Sequence, residues 1–397
     1  MKITKSMIDH PHRIKEPTPE KQCSWLGRDL EELALTCKKK LQRVYAYIRY
    51  KDFRRVSERA ISLTNRHGKP MKDLGEGSFG RAELCRHDHR FKVAKKPHAD
   101  RTKVADVIRR NVAFEGLARL YFKNIITLGQ MVKAQDELEL LLEEVNSPEK
   151  ECEAALRCAG DYVIPHELVE GVIYTPLHGK SMDSLIKAFN KARTQTGKDP
   201  AKVNAISKRD EKLITHLFKQ ATLAVASLHD KGYVHRDIKP NNFVIDGEAR
   251  LKLIDFGLAR TAGDPEIDLT TKNCSPADFV LHTALCPLAY RSPDALIYQN
   301  VNLKAEDAWS LGVLLTEMFT GKNYFFLPGL SNAAQTVACK LIGRNLAIAK
   351  MESMRVNPKA IRLAKALLHD DPSQRMTVAE ALESDFLKDV DLAAFGT

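Results

Sequence analysis

Apolar positions near the start of the chain recur at helical spacing. Leu30, Leu33, Cys37, Leu41, Val44, Tyr45 and Ile48 share one face, with Lys38, Lys39, Arg43 and Lys51 opposite. The pattern predicts a basic amphipathic helix within residues 1–67, with room for a second after Tyr50. The period then changes. R-A-E-L-C-R-H-D-H-R-F-K-V-A-K-K, from Arg81 to Lys96, reads as two strands joined by a polar turn. Helical spacing returns from about Val104 to Val145, where Ile108, Val112, Leu117, Leu120 and Tyr121 form a stripe. Further on, V-I-P-H-E-L-V-E and G-V-I-Y-T-P-L predict a hairpin, and G-K-S-M-D-S-L-I opens a helix. Residues 190–209 are polar and basic and predict a surface loop between two helices, and residues 326–397 predict mostly helix.

Composition narrows the class. The chain has 397 residues, 44% hydrophobic and 28% charged, an ordinary soluble balance. No run approaches a membrane span, and Met1 to Pro19 lacks the apolar core of a secretory signal. Eight cysteines are scattered without a CxxC pair, which predicts reduced thiols and a cytoplasmic setting. The formal charge of +11 suits phosphate handling, acidic partners or a solvated basic surface. No aromatic–basic interleaving marks a nucleic-acid site, so no DNA partner is expected. The ordinary use of the basic helix is packing on the rest of the chain. Its sharper use is to meet a docking partner or an anionic surface.

Candidate chemistry begins at Gly75-Glu76-Gly77-Ser78-Phe79-Gly80, a G-x-G-x-x-G string followed by Arg81 and the small Ala82. Glycines let backbone N–H groups approach phosphate oxygens, and Phe79 at the tip would shield them from water. The strands that follow favour a hairpin over the strand–turn–helix of a dinucleotide fold. A lysine is then needed at the phosphates. V-A-K-K offers two. Counting V-A-x-K selects Lys96, whereas strand alternation from Phe91 and Val93 selects Lys95, and both are retained.

Residues 233–242 read Y-V-H-R-D-I-K-P-N-N and residues 254–257 read I-D-F-G. With the glycine loop upstream, these strings resemble the eukaryotic-type protein kinase family, and K-P-N-N resembles its serine/threonine subgroup. The resemblance covers about residues 70–388. It implies an α+β, bilobal protein kinase fold: a small β-rich N-lobe, a larger mainly helical C-lobe, and an N-terminal helical extension. The domain would run over residues 68–390. Its N-lobe would end near 177 and carry a helical insertion at about 100–147, and its C-lobe would begin near 178.

The implied function is transfer of the γ-phosphoryl of ATP to serine or threonine hydroxyls of protein substrates. Asp237 would act as base, Lys239 would offset phosphoryl charge, and Asn242 and Asp255 would hold Mg²⁺ or Mn²⁺. His235 reads as a packed scaffold residue. Asp307 would hold the catalytic loop's backbone, and Arg375 would pair with Asp294. Arg236 implies a phosphorylated partner among Thr270, Thr271, Ser275 and Thr283.

The lysine also needs a glutamate. One placement uses Glu115, with L-E-L-L-L-E-E-V as the hinge strand. The preferred placement uses Glu151, with Glu153 as runner-up, because it runs continuously from helix to hairpin to hinge near Thr175–Leu177. Asp294 stands where the family has glutamate, and Pro287 stands where serine/threonine kinases often have threonine. A kinase-fold scaffold and a lipid or small-molecule kinase are the competing readings. By analogy, the irregular small lobe also fits a bacterial effector delivered into host cells.

Overall fold

The computed structural model describes residues 72–77, 80–87, 90–97, 147–195, 206–261, 266–268, 287–297, 300–326 and 333–393, with isolated positions at 130–137 and 275–280. All belong to one unit spanning His67–Thr397. The expected helices in residues 1–67 and the expected insertion at 100–147 lie outside the described residues or on isolated positions among them.

The first half of this unit is a sheet. Strands β1 (Lys72–Gly77), β2 (Gly80–His87), β3 (Arg90–Pro97), β4 (Glu167–Val169) and β5 (Val172–Pro176) pair in the order β1-β2-β3-β5-β4, each pair antiparallel. Helix α1 (Pro148–Arg157) precedes β4. Ser147 caps it by accepting from the backbone N–H of Lys150, and Pro148 occupies the first turn, where its missing N–H costs nothing. The turn between β4 and β5 places Glu170 and Gly171 at φ 50° and 75°, as a tight hairpin with left-handed residues requires.

The second half is mainly helical. A short strand β6 (Lys180–Ser181) leads into α2 (Met182–Gln195), and α3 (Lys208–Asp230) follows. The polar stretch from residue 190 is thus helical as far as Gln195, a correction to the loop expected there. Its lysines and arginines are good helix formers, so a solvated helical turn satisfies the same polar sequence.

After α3 come β7 (Tyr233–Val234), a 3₁₀ turn at Pro240–Asn242, β8 (Phe243–Ile245), β9 (Leu251–Leu253), β10 (Arg260–Thr261) and β11 (Glu266–Asp268). Next are α4 (Asp294–Ile297), β12 (Asn300–Asn302), α5 (Leu303–Thr320), α6 (Ala333–Ser353), α7 (Pro358–Leu367) and α8 (Val378–Leu382).

Helix α5 is buried nearly all round, with Trp309, Leu311, Val313, Leu314, Leu315 and Phe319 fully enclosed. A helix apolar on every face is stable only as a central element. Each such side chain contributes about 1.5–3 kcal/mol on burial. Helix α3 supplies the facing stripe of Ile214, Leu217, Phe218, Ala221, Val225 and Leu228. Helix α5 ends at Gly321, whose φ of 73° is the left-handed cap that returns its N–H to the Glu317 carbonyl.

Candidate active site

The catalytic turn hangs between α3 and β8. Asp307, near the start of α5, is fully buried and fixes that turn from below. Its Oδ1 accepts the Arg236 N–H at 2.8 Å, and its Oδ2 accepts the His235 N–H at 2.8 Å and His229 Nε2 at 3.0 Å. Burial works to raise its carboxyl, yet His229, His235 and the backbone donor hold it below the ordinary range. Arg236, buried, sits at φ 68° and Asp255 at φ 65°. Non-glycine residues in this region are held there by their surroundings and mark sites where geometry matters. His235 packs edge-on against Phe256 at 5.2 Å, and its Nδ1 accepts the Asp237 N–H at 3.3 Å. That is the work of a scaffold, as expected.

Asp237 is 3% exposed. Its Oδ2 accepts from Lys239 Nζ at 2.7 Å and from Asn242 Nδ2 at 2.8 Å. Asn242 Nδ2 also donates to the Asp237 carbonyl at 2.8 Å, so the Asn242 amide oxygen is the atom left for a cation. Among the described residues, Asp237 Oδ1 meets no donor. Burial raises the Asp237 carboxyl above the usual range; Lys239 opposes this and Asp255 adds to it. The Ile254 N–H donates to the Asn242 carbonyl at 2.9 Å, which ties the D-F-G strand to the catalytic turn.

Lys95 bridges the two halves. Its Nζ lies 2.8 and 2.9 Å from the two Glu151 carboxylate oxygens and 2.6 Å from Asp255 Oδ1. Burial opposes its charge, but Asp255 and Glu151 together raise its pKa and keep the ammonium. Burial also pushes Asp255 up, and the pull of Lys95 carries it below the ordinary value. Ala82 lies directly opposite Lys95 on β2, so the glycine hairpin and the lysine share a face. Gly75, Glu76, Gly77 and Gly80 form that hairpin, with Gly77 opposite Gly80; Ser78 and Phe79 lie outside the described residues.

Lys96 does not join the cluster. It is on the other face of β3, 2.7 Å from Glu83. Counting V-A-x-K therefore misleads here, and the pleat decides for Lys95. Glu153 is exposed and bonds Arg157 at 3.0 Å, and Glu115 is outside the described residues. Glu151, in the first turn of α1, is the partner.

Below the site, Arg375 reaches Asp294 at 2.5 Å with both side chains fully enclosed, and its guanidinium lies over Trp309 at 5.1 Å. Aspartate thus closes the pair despite its shorter reach. The Glu306 carboxylate accepts the Ser292 N–H, and Lys340 donates to the Leu288 carbonyl, so the backbone leading into Asp294 is held at two points. Of the four candidate phosphoacceptors, Ser275 alone lies among the described residues.

The sequence reading missed His166. It is buried between Glu151, 3.9 Å from its Nε2, and Phe256, which it meets edge-on at 5.6 Å. Its Nδ1 lies 2.9 Å from the Ile164 carbonyl, and burial lowers its pKa to about 4.

The donor set for a cation is oxygen: the Asn242 amide and the Asp255 carboxylate, with the open Asp237 oxygen beside them for a hydroxyl. Hard oxygens suit Mg²⁺ or Mn²⁺, so these residues fit the implied cation.

Comparison with known proteins reaches the same region. The family described as protein kinase domain matches residues 194–387, which takes in Asp237, Asn242, Asp255, Asp307 and Arg375. The match begins after the glycine hairpin, Lys95 and Glu151, so their placement rests on the structure. The chain is 26% identical over 323 residues to CBL-interacting protein kinase 9 of Oryza sativa subsp. japonica, covering 80% of this chain and 56% of the relative. It is 26% identical over 322 residues to maternal embryonic leucine zipper kinase of Danio rerio, covering 80% and 37%. It is 29% identical over 242 residues to mitogen-activated protein kinase 15 of Xenopus laevis, covering 51% and 40%. The chain thus spans little more than half the length of these relatives, or less.

Proposed function

We propose, from the protein kinase domain match at residues 194–387, that the chain is a eukaryotic-type protein kinase and transfers the γ-phosphoryl group of ATP to serine or threonine hydroxyls of protein substrates. The observation that carries this is the convergence of Asp237, Asn242 and Asp255 with the Lys95–Glu151 pair. A scaffold that had lost chemistry would have no need to keep a buried base, an amide and a salt-bridged carboxylate together.

Each residue has a role. Asp237 Oδ1 accepts the substrate hydroxyl and takes its proton as the oxygen attacks the γ-phosphorus. Its raised carboxyl makes it a better base than a free aspartate. The new P–O bond forms as the bond to the β-phosphate oxygen breaks, leaving ADP. Lys239, held on Asp237 Oδ2, stands beside the reacting phosphoryl and offsets its charge. Lys95, kept charged by Glu151 and Asp255, and the glycine hairpin hold the phosphates. Asn242 and Asp255 would hold Mg²⁺ or Mn²⁺, whose charge balances that of the nucleotide. K-P-N-N at Lys239–Asn242 favours serine or threonine over tyrosine.

The test is labelled phosphate transfer from ATP to a generic basic protein by wild type, Asp237→Asn and Asp255→Ala, with phosphoamino-acid analysis of the product. Each variant should lose at least ~10²-fold, as removal of a base or a metal ligand does. Equal transfer by all three rejects the assignment, and phosphotyrosine as the main product rejects the hydroxyl class.

A further inference from the structure

Two successive carboxylates near the start of α5 hold two different pieces of backbone. Asp307 holds the catalytic turn through the N–H groups of His235 and Arg236, and Glu306 holds the N–H of Ser292 at 3.0 Å. The turn that leads from Pro287 to Ser292 is therefore registered to Asp237 through adjacent residues of one helix. A hydroxyl presented by a protein brings flanking polypeptide with it, and that polypeptide must rest on a surface fixed relative to the base. We propose that Lys340 is a positioning residue for the protein substrate: it holds the Leu288 carbonyl from α6 and so fixes the turn Pro287–Arg291 as the surface on which the polypeptide beside the acceptor hydroxyl lies. The inference rests on the phosphoryl-transfer reading above.

The N–H groups of Tyr290 and Arg291 close the turn by donating to the Pro287 carbonyl at 2.9 and 3.1 Å. Tyr290 is anchored on α5: its carbonyl accepts from Ser310 Oγ at 2.9 Å and its hydroxyl donates to Glu317 at 2.7 Å. Ser292 is anchored on the same helix by Glu306. Leu288 reaches a different helix, because its carbonyl accepts from Lys340 Nζ on α6. Leu288 is 40% exposed, whereas Lys340 is fully enclosed. The carbonyl is drawn into the protein while the rest of the residue stays open to a partner.

A lysine enclosed in this way gains little as a charge. Burial pushes it down to about 7, the nearby Arg291 adds to the push, and Glu306 and Cys339 oppose it only in part. An apolar side chain would fill the same space without that penalty. What the lysine supplies, and an apolar residue does not, is a donor for Leu288. Its helix is a firm base. Gly343, one turn along, packs so closely that a Cβ there would lie 2.3 Å from the Tyr324 carbonyl oxygen. Loss of the donor would free the Leu288 end of the turn, yet leave Tyr290 and Ser292 on α5 and Asp307 on the catalytic turn. The effect should fall on the protein substrate and spare the nucleotide.

The experiment compares wild type, Lys340→Met and Leu288→Ala in the full chain, with a generic basic protein as substrate. It reads kcat, the KM for ATP, the KM for protein, and ATP hydrolysis without the protein. Lys340→Met should raise the KM for protein about five- to tenfold, the scale of one lost hydrogen-bonded anchor, with the KM for ATP and the hydrolysis rate within about twofold of wild type. Leu288→Ala keeps the carbonyl and should raise the same KM about threefold through lost apolar contact. Hydrogen exchange needs no turnover: the Tyr290 and Arg291 amides should exchange faster in Lys340→Met, and those of His235 and Arg236 should not.

An unchanged KM for protein in Lys340→Met, or unchanged exchange at Tyr290 and Arg291, overturns the proposal and leaves the kinase reading standing. So does a Lys340→Met chain that fails to fold or loses kcat alone, because the lysine would then support the whole domain and not the turn. Leu288→Ala with an unaltered KM for protein removes the turn as the substrate's surface, however Lys340→Met behaves. Absence of transfer by wild type itself rejects the transfer reading and this inference with it.

Discussion

Replacing Asp307 with asparagine isolates a charge without changing shape. The carboxylate accepts three donors, the N–H groups of His235 and Arg236 at 2.8 Å and His229 Nε2 at 3.0 Å. An amide has one acceptor oxygen. Its best orientation keeps that oxygen on His235 and His229 and turns its NH₂ toward the Arg236 N–H, donor against donor. One charge-assisted bond, worth about 1.5–3 kcal/mol, is lost, and a buried N–H is left without a partner at a further cost of about 1–3 kcal/mol. Removing a buried charge relieves some desolvation. The sign still favours the carboxylate, because its pKa lies below the ordinary value although it is fully buried. The net loss should be about 3–5 kcal/mol, a large part of the roughly 5–15 kcal/mol of a folded domain. Function should fall further than stability. Arg236 is held at φ 68°, and with its N–H released that strain, about 1–3 kcal/mol, relaxes and carries Asp237 with it. A displacement near 1 Å at the base is enough for about 10²-fold in kcat. Urea unfolding gives the first number, and initial rates at a temperature where the variant is still folded give the second. Asp307→Asn within about 1 kcal/mol of wild type and within twofold in kcat would refute the claim that this carboxylate positions the catalytic turn.

The other predictions are shorter. Arg375→Ala leaves Asp294 buried and uncompensated and should cost about 3–5 kcal/mol, whereas Arg375→Met/Asp294→Leu, losing both charges, should recover much of it in the same urea titration. The His166 pKa is lowered from 6.5 to about 4, so between those values the unfolded chain binds the proton more readily than the folded one. Stability is therefore full above the unfolded value and declines as pH falls, by up to about 3 kcal/mol. His166→Phe should flatten that acid limb in melting curves from pH 7 to 4, and an unchanged limb counts against a buried neutral His166. Gly321→Ala forces a Cβ into a left-handed cap at φ 73° and against the Asn190 amide, and thermal unfolding should show a loss of about 1–2 kcal/mol.

What the sequence disclosed follows the range over which each residue is fixed. Asp237, Lys239 and Asn242 lie on one turn, and Asp255 follows a short hairpin, so their spacing is nearly their geometry. Such strings are readable because local backbone alone brings them together. Glu151 was legible for a similar reason, as it precedes a hairpin that pairs onto β3. Lys95 and Lys96 were ambiguous because counting and pleat disagreed, and only the pairing of β3 with β2 and β5 separates them. Glu83, His166 and His229 left no usable trace. Each acts across a fold contact: Glu83 on Lys96 from the next strand, His166 on Phe256 from beside the sheet, and His229 on Asp307 from another helix. The helical turns beyond residue 190 were missed because a polar run satisfies a solvated helix as well as a loop.

The same distinction explains how the site stays assembled. The groups that would touch nucleotide or substrate are adjacent in sequence and need little help to meet one another. What they need is a fixed relation to Lys95, which comes from a different sheet. That relation is carried by two side-chain lines. One is ionic, from Glu151 through Lys95 to Asp255. The other is a packed column, from His166 through Phe256 to His235, whose backbone is pinned by Asp307. The ionic line weakens whenever either carboxylate is drawn elsewhere, while the packed line does not depend on charge. A substitution in the column should therefore lower kcat without altering how the rate depends on salt. A substitution in the ionic line should change both the KM for ATP and that salt dependence, since screening acts on partly exposed charges and not on packing.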